Sequence, residues 1–267
     1  MKCSPESSPG AEGMEVISPA AEFRDVTFRY SRKDTPLIEN LSFQVRKGEF
    51  VALVGPSGCG KSTVFRLLNR LNEPEQGEVR INAVCGYMPQ QDMLFPWRTV
   101  AENVALPLEI RSEQNGEKRS GAELREKALE ALASAGLKGW EDKLPRELSG
   151  GMRQRVSFAR TLMTGAELLL LDEPFSALDY LTRLSMREWL LKQWERDRKT
   201  VLFITHDVEE AIFLSTRVLA AEKSPIRELK EYTVPLGYPR TEASLGTREA
   251  LDLKEQLIAM FRKGEES

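Results

Sequence analysis

The chain alternates between short apolar runs of strand length and longer stretches in which apolar residues recur at helical spacing. Residues 22–30, EFRDVTFRY, alternate apolar and polar positions, as a strand with one buried face does. The runs FVALV and LLLL are apolar throughout, which is typical of strands buried on both faces of a parallel sheet. Strands are predicted at residues 22–30, 41–45, 49–55, 77–81, 86–90, 167–174, 200–207 and 229–236. Helices are predicted at residues 64–72, 99–109, 122–136, 152–163, 180–197, 208–215 and 248–263.

The order of these elements predicts the domain organisation. Strands that alternate with helices indicate an α/β fold with an open, mostly parallel sheet. The segment from about 99 to 164 is helical and lies between core strands, so we expect an inserted helical subdomain with a polar linker at residues 111–121. Residues 21–223 would form the main domain, and 224–267 a less regular C-terminal extension. Residues 1–20 are rich in Ser, Pro, Gly and Glu and are expected to be a flexible leader.

Composition and charge exclude several classes of function. The 267 residues are 41% hydrophobic and 30% charged, which is ordinary for a chain that buries a sizeable core. The net charge of −3 argues against broad electrostatic binding to nucleic acid or anionic lipid. Cys3, Cys59 and Cys85 lack metal-ligand spacing and fit a reducing compartment. Because no apolar run approaches the ~20 residues of a membrane helix and the N-terminus has no apolar signal core, we expect a cytosolic chain that reaches a membrane only through a partner.

Residues 55–62, GPSGCGKS, match the phosphate-binding pattern G-x-x-x-x-G-K-[ST] between a buried strand and a helix. Glycines let backbone N–H groups turn inward, and the following helix adds the positive end of its dipole. Lys61 would reach the β- and γ-phosphates of ATP, and the Ser62 hydroxyl would bind Mg²⁺. The residues predicted to contact ATP here are Gly55, Ser57, Gly58, Cys59, Gly60, Lys61, Ser62 and Thr63. A bulky thiol reagent on Cys59 should therefore block nucleotide binding.

The stretch ELLLLDEP, residues 167–174, places two acids at the end of a buried strand. Asp172 can hold Mg²⁺ there. Glu173 can act as the general base for the water that attacks the γ-phosphorus, because the chain is already turning at the strand end. A solvated turn is the alternative, but the leucine strand and the phosphate loop favour the catalytic interpretation.

The stretch LSGGMRQRVSFAR, residues 148–160, resembles the signature sequence of ATP-binding cassette (ABC) ATPases, and the resemblance extends over about residues 22–220. Ser149, Gly150 and Gly151 precede a helix and offer a hydroxyl and unobstructed N–H groups, which is an anion site. The resemblance implies that these residues bind the γ-phosphate of a partner subunit's ATP, since two chains of the family sandwich two nucleotides head to tail. It also implies a P-loop NTPase core with an antiparallel β edge region. A helix cap without a ligand is the alternative.

Further positions take their roles from this resemblance. Tyr30 stands where the family has the aromatic that stacks on adenine, although a strand tyrosine can equally be a core residue. Gln90 resembles the glutamine that meets Mg²⁺ and links the site to the membrane partner, and Gln91 is the neighbouring alternative. Gln154 and Asp179 resemble residues that contact the partner's nucleotide or communicate across the dimer.

His206 is the only histidine in the chain. A lone histidine is more often a structural residue than a ligand. It follows Thr205 at the end of a core strand, however, and ligands in such sheets bind at the carboxyl ends of strands. The stretch ITHD resembles the family's switch histidine, which hydrogen-bonds the γ-phosphate and helps to hold the attacking water. Ligand sensing is therefore the favoured interpretation, and His206 joins Glu173 as a predicted catalytic residue.

The resemblance implies a dimeric ATPase, with Mg²⁺ as cofactor, that drives a separate transmembrane permease from the cytoplasmic face of the membrane. The stretch MPQQDMLFPWRTVAENV resembles importers of the nitrate, sulfonate, taurine and bicarbonate group, which also includes pyrimidine-type vitamin precursors. We therefore expect a bacterial importer of a small solute, with an extracytoplasmic solute-binding protein in the same system. Residues 95–97 and the helical insertion are expected to contact the permease, with a core role for Trp97 as the alternative.

Other functions of related ATPases stay open. Export systems and ATPases that act on DNA repair or ribosomes share these motifs. The absence of a coiled coil between Lys61 and Asp172 argues against the repair type, and the single cassette argues against the ribosomal type. An ATP-regulated binding module without turnover is disfavoured by Glu173 and His206. The chain is shorter than the family between GEVRINA and GYMPQ, which puts one antiparallel edge strand in doubt, and its tail is too short for an added regulatory barrel.

Overall fold

The apolar runs of the sequence form a six-stranded sheet at the centre of the molecule. The computed structural model describes residues 18–116 and 120–265. The strands are β1 (Ala21–Phe28), β2 (Ile38–Val45), β3 (Phe50–Val54), β4 (Gln76–Ile81), β5 (Cys85–Met88), β6 (Leu168–Asp172), β7 (Thr200–Ile204), β8 (Arg217–Ala220) and β9 (Lys230–Thr233). The helices are α1 (Lys61–Leu68), α2 (Val100–Gln114), α3 (Gly121–Ser134), α4 (Gly150–Met163), α5 (Tyr180–Asp197), α6 (Val208–Leu214) and α7 (Arg248–Glu265).

The central sheet has the strand order β5-β6-β7-β3-β8-β9, and every neighbouring pair is parallel except β8 with β9. Strands β3, β6, β7 and β8 are buried along their whole length, which explains why their sequences are apolar on both faces. Strand β8 was not predicted, because its four residues RVLA are too few to form a recognisable pattern. The predicted α/β fold with a mostly parallel sheet is confirmed.

A second, antiparallel sheet has the strand order β2-β1-β4. Phe23 stacks on Phe43 across it with ring centroids 4.6 Å apart, and both rings belong to the apolar cluster that includes Phe65 of α1. This confirms the predicted antiparallel region. The edge strand that the short sequence put in doubt is not present in the described chain between β4 and β5, because residues 82–84 alone connect these two strands. Ala20, the last residue of the predicted leader, is buried and donates its N–H to Val45, whereas residues 1–17 lie outside the described part of the chain.

Helices α2, α3 and α4 share an apolar cluster of their own, which includes Val104, Leu132 and Val156. Thr99 and Ser120 begin α2 and α3 with reciprocal capping boxes. The predicted polar linker at 111–121 is wrong at both ends, because α2 continues to Gln114 and α3 begins at Gly121. A tertiary contact supports the longer α2, because the Arg111 guanidinium donates to the Thr164 carbonyl at 3.0 Å.

Across 18–116 and 120–265, no helix combines the length and the apolar character that crossing a membrane requires. The C-terminal extension consists of β9, a short 3₁₀ helix at Glu242–Gly246 and α7. The strand predicted at 229–236 and the helix predicted at 248–263 are both present. Helix α7 packs its apolar residues into the same core cluster as α6.

Candidate active site

The carboxyl ends of β3, β6 and β7 meet at one edge of the central sheet. Leu53 pairs with Ile204, and Ile204 pairs with Asp172, so these three neighbouring strands end level with one another. The phosphate-loop residues follow β3, Glu173 follows β6, and His206 follows β7. Parallel pairing therefore collects three segments that are far apart in sequence, which is the usual position of a ligand site in an open α/β sheet.

The phosphate loop curls around the Lys61 ammonium group. Lys61 is buried, and its Nζ donates to the carbonyls of Gly55 at 2.8 Å and Pro56 at 2.7 Å. Gly58 and Gly60 have φ angles of 77° and 120°, which L side chains rarely adopt. The amino end of α1 thus points its free N–H groups into a loop that already holds a cation, and this is an anion-binding arrangement.

Two side chains of the phosphate loop that were predicted to contact ATP, those of Cys59 and Thr63, are buried instead. Cys59 is 2% exposed and its side chain belongs to the apolar core, so only its backbone can face a phosphate. Burial raises the pKa of the Cys59 thiol, with Lys61 opposing the effect. Thr63 is also buried and shares a 3.1 Å hydrogen bond with the Tyr30 hydroxyl. Ser57 and Ser62 are exposed.

Asp172 is buried at the end of β6. Its carboxylate accepts the Tyr87 hydroxyl at 3.4 Å, and the Ser62 side chain lies near enough to favour the ionised form. Burial raises the pKa of Asp172, and the negative charge of Glu173 raises it further. Burial together with Asp172 raises the pKa of Tyr87 to about 12. Tyr87 was not among the predicted site residues. Its position on β5, three residues before Gln90 and next to the strand that carries Asp172, could have indicated that it belongs to the site.

The Ser62 and Asp172 oxygens fit a Mg²⁺ ion that is shared with a nucleotide. Mg²⁺ prefers oxygen ligands and is usually held by one or two protein groups together with substrate phosphates and water. Within the described ranges, no group of three His, Cys, Asp or Glu residues could hold a metal ion by itself. The protein therefore supplies a partial ligand set, which phosphate oxygens would complete.

Glu173 leaves the strand in the left-handed conformation, with φ 46°, and its N–H donates to Ile204 at 3.0 Å. The Gln90 amide donates to the Glu173 carboxylate at 2.9 Å. His206 Nδ1 lies 3.7 Å from the same carboxylate oxygen. The structure thus brings together three of the predicted residues around one carboxylate at the sheet edge, where a catalytic base is expected.

Tyr30 extends this site on its outer side. It is 55% exposed and meets Phe28 edge to face at 5.0 Å. Its hydroxyl bond to Thr63 holds the ring next to the start of α1. An exposed aromatic face beside a phosphate loop is suited to stack on a base, and the core alternative for Tyr30 does not apply.

A second group of predicted residues lies at the start of α4 and α5. Ser149 caps α4 by accepting the Met152 N–H at 3.3 Å, and Asp179 caps α5 by accepting the Thr182 N–H at 3.1 Å. Gly151 packs against α5 so closely that an added Cβ would lie 2.4 Å from the Thr182 methyl group. Gln154 is buried and donates to the Pro174 carbonyl at 2.8 Å, which ties α4 to the loop after Glu173.

This second group does not touch the phosphate loop. In the part of the chain that the structure describes, no hydrogen bond or ion pair joins Ser149, Gly150, Gly151, Gln154 or Asp179 to residues 55–63. The start of α4 instead borders an open cleft of about 660 Å³ that Gln90, Gly150 and Ala177 line. The start of α4, which the sequence resemblance assigns to a partner's nucleotide, is therefore separate from the phosphate loop of its own chain.

A parallel sheet in which a phosphate loop follows β3 and an acid pair ends β6, with β7 between the two strands, defines a nucleotide-hydrolysing enzyme of the P-loop class. The sequence profile described as ABC transporter matches residues 38–176. The formylaminopyrimidine import ATP-binding protein of Halalkalibacterium halodurans is 44% identical over 253 residues, which cover 92% of this chain and 98% of that protein. The aliphatic sulfonates import ATP-binding protein of Bacillus cereus is 37% identical over 251 residues, with 90% and 95% coverage.

The solved structures agree with these relatives. A dimeric ATP-binding cassette bound to ADP and phosphate after hydrolysis is 32% identical and has a TM-score of 0.69, over 81% of this chain and all of that one. The chain therefore belongs to the ABC transporter family and is an ATPase whose hydrolysis is coupled to transport. The predicted family, ATPase activity and resemblance to the importer group are confirmed.

Proposed function

We propose that the chain is the ATP-hydrolysing subunit of a bacterial importer and works as a head-to-tail dimer. The observation that carries the proposal is the separation of the two predicted anion-binding regions, the phosphate loop and the start of α4. Lys61, Glu173 and His206 lie at the carboxyl end of the central sheet, whereas Gly150 at the start of α4 faces an open cleft that Gln90 also lines. A second copy can bring its own α4 start to the first copy's γ-phosphate.

In this mechanism Lys61 and the N–H groups of residues 57–62 bind the β- and γ-phosphates. Ser62, Asp172 and Gln90 would hold Mg²⁺, which supplies charge neutralisation at the phosphates. Glu173 accepts a proton from the attacking water on its carboxylate, to which Gln90 donates a hydrogen bond and from which His206 Nδ1 is 3.7 Å away. The roles of these residues follow from their positions around one sheet edge.

Closure of the dimer depends on the γ-phosphate, because both chains donate hydrogen bonds to it. Hydrolysis and release of phosphate remove this shared anion, and the dimer then opens. Gln154 and Asp179 support the second region: Gln154 anchors α4 to Pro174, and Asp179 caps α5, the helix against which Gly151 packs. Each round of binding and hydrolysis would thus produce one closing and one opening motion.

The motion would reach a membrane permease through the loop after Gln90. Trp97 is 71% exposed and lies against Phe95, with ring centroids 5.3 Å apart, so the core alternative for Trp97 does not apply. Arg153 pairs with Asp92 at 2.9 Å, and Arg160 donates to the Asp92 carbonyl, which couples this loop to α4. An exposed aromatic pair beside these links is suited to dock against a partner.

The solute is proposed at the level of a class. Relatives named for formylaminopyrimidine and aliphatic sulfonate import suggest a small polar organic solute for this system as well. The ATPase itself does not bind the solute, so the class rests on similarity alone. An extracytoplasmic solute-binding protein and a location at the cytoplasmic face of the membrane, held there by the permease, complete the proposal.

The composite site can be tested by complementation between two inactive chains. Ser149→Arg places a bulky side chain in the second region, and Lys61→Ala disables the phosphate loop, so each homodimer should lose ATP hydrolysis. A mixture forms heterodimers with one intact composite site, and it should recover up to about a quarter of wild-type activity. Recovered hydrolysis is measured by phosphate release.

The matched control is Ser120→Arg. Ser120 caps α3 through the same kind of bond that Ser149 makes at α4, with its hydroxyl accepting the Glu123 N–H at 3.2 Å. Loss of a serine cap costs about 1 kcal/mol in either helix. Ser120→Arg should keep wild-type hydrolysis, whereas undiminished hydrolysis by Ser149→Arg alone would refute the dimeric site.

A further inference from the structure

The C-terminal extension packs on the helix that follows His206. Helix α6 is only seven residues long, and its residues 211–214 are buried in the main apolar cluster. The same cluster contains four residues from one face of α7: Ala250, Leu253, Leu257 and Met260. The Lys254 ammonium pairs with Glu209 in the first turn of α6. The extension is therefore joined to α6 along its side.

Arg240, within this extension, reaches the carboxyl end of α6. The residue is 6% exposed, and Arg240 Nη1 donates to three backbone carbonyls, those of Ile212 at 2.9 Å, Phe213 at 3.0 Å and Ser215 at 2.9 Å. Its guanidinium also lies over the Tyr238 ring at 4.1 Å. Among the described residues, no carboxylate forms an ion pair with Arg240. The helix-end carbonyls therefore solvate this buried cation, and the more distant negative charge of Glu195 also favours it.

The C-terminal extension supplies most of the hydrogen-bond partners for the last carbonyls of α6. The last four carbonyls of a helix have no partner within it. That of Ala211 accepts the Ser215 N–H at 3.1 Å. The carbonyls of Ile212 and Phe213 accept hydrogen bonds from the Arg240 guanidinium. The carbonyl of Leu214 accepts one from the Tyr238 hydroxyl at 3.3 Å. Three of these four carbonyls therefore have partners from the C-terminal extension.

The opposite end of α6 holds the catalytic loop. Asp207 caps the helix by accepting the N–H groups of Glu209 at 2.8 Å and Glu210 at 3.2 Å. Thr205 donates to the buried Glu210 carboxylate at 2.6 Å and accepts the Asp207 N–H at 3.0 Å. His206 lies between Thr205 and Asp207, so both of its neighbours are bonded to the first turn of α6.

We propose that Arg240 is a positioning residue that holds His206 beside Glu173 by fixing the carboxyl end of α6. A helix this short is marginal without tertiary support, because few of its hydrogen bonds are internal. Release of its carboxyl end would let the helix fray and would loosen the Asp207 cap. The 3.7 Å approach of His206 to Glu173 would then be lost. This inference rests on the proposed catalytic role of His206.

The test compares three single variants of the full chain. Arg240→Gln removes most of the donors and should lower kcat about 10- to 100-fold, since a misplacement of about 1 Å can cost this much. The Kd for ATP should stay within about twofold, because the hydrogen bonds of Arg240 go to the end of α6 and to residues 236–237, not to the phosphate loop or Tyr30. Arg240→Lys keeps the charge and should recover part of kcat. Arg227→Gln is the control, because Arg227 pairs with Glu39 on the surface and does not touch α6.

A readout that does not depend on activity is amide hydrogen exchange, which reports local opening. Exchange in residues 208–215 should accelerate in Arg240→Gln and stay at the wild-type rate in Arg227→Gln. Wild-type kcat together with unchanged exchange in a folded Arg240→Gln protein would overturn the proposal.

A double-mutant cycle separates positioning from general damage. If Arg240 acts through His206, then Arg240→Gln should lower kcat by less than about twofold in a His206→Gln background. A full multiplicative loss would show that Arg240 acts elsewhere and would overturn the proposal. If His206→Gln itself kept wild-type kcat, the catalytic role of His206 would fail first, and the two failures are thereby distinguished.

The proposal also has a milder version of the test, in case Arg240→Gln does not fold. The double variant Tyr238→Phe with Lys254→Gln removes one carbonyl partner and one ion pair while it leaves Arg240 in place. It should lower kcat about three- to tenfold with an unchanged Kd for ATP. Wild-type kcat in this variant would count against the proposal.

Discussion

Gly151→Ala should destabilise the protein although it adds only a methyl group to a helix. The new Cβ would lie 2.4 Å from the Thr182 methyl carbon, whereas carbon atoms in contact are about 3.5–4.0 Å apart. Thr182 cannot turn away cheaply, because its side chain is stiff and its hydroxyl donates to Asp179 at 2.6 Å. Helices α4 and α5 must therefore separate at this point.

The cost follows from measured effects of overpacking, which are about 1–3 kcal/mol. A value of about 2 kcal/mol corresponds to a fall in Tm of about 4–8 °C for a protein of this size. ATP hydrolysis should fall as well, since the start of α4 shifts relative to Asp179. Thermal unfolding followed by circular dichroism and a phosphate-release assay measure the two effects.

Gly150→Ala is the matched comparison, because the nearest atom to its added Cβ is 3.8 Å away. Alanine is preferred over glycine in helices by up to about 1 kcal/mol, so Tm should stay constant or rise. The double variant of Gly151→Ala with Thr182→Ser removes the clashing methyl and keeps the hydroxyl, and it should recover most of the lost Tm. Equal Tm values for the two glycine variants, or no recovery with Thr182→Ser, would refute the packing argument.

Three further predictions concern the nucleotide site. Glu173→Gln should lower kcat by about 10²- to 10⁴-fold and accumulate an ATP-bound dimer in size-exclusion chromatography; unchanged turnover would remove Glu173 from the mechanism. Because burial and Glu173 raise the pKa of Asp172, the folded state binds the proton more tightly than the unfolded state, and the ionised form destabilises the fold above that pKa. In the absence of nucleotide, Asp172→Asn should therefore raise Tm at about pH 8, and the rise should be smaller near pH 5. A lower Tm than wild type at pH 8 would contradict this reasoning. Iodoacetamide should modify Cys59 slowly, because the thiol is buried with a raised pKa, and ATP should slow it further; mass spectrometry that showed rapid labelling would contradict the burial.

The phosphate loop could be predicted from the sequence because its chemistry is local. Consecutive residues between a buried strand and a helix supply all the N–H groups, and Gly58 and Gly60 have the positive φ angles that such a loop requires. The same holds for Ser149, which caps the helix that follows it, whereas Asp179 was identified only through the family resemblance and its cap on α5 comes from the structure. Short-range geometry and residue type were sufficient at these positions.

Other features depend on residues that are distant along the chain. Tyr87 and Asp172 are 85 positions apart, and only the pairing of β5 with β6 brings the hydroxyl to the carboxylate. Cys59 shows the reverse, since a residue inside the motif turns its side chain into the core.

The C-terminal extension illustrates the limit most clearly. Its pattern predicted one strand and one helix, and both are present, but nothing in that pattern indicated that Arg240 would bind the end of α6. The spacing of apolar residues along a chain indicates which side of a helix or strand is buried, because each buried position requires an apolar residue. It carries no information about which distant carbonyls a buried cation will meet, since that depends on how α6, α7 and the intervening loop pack together.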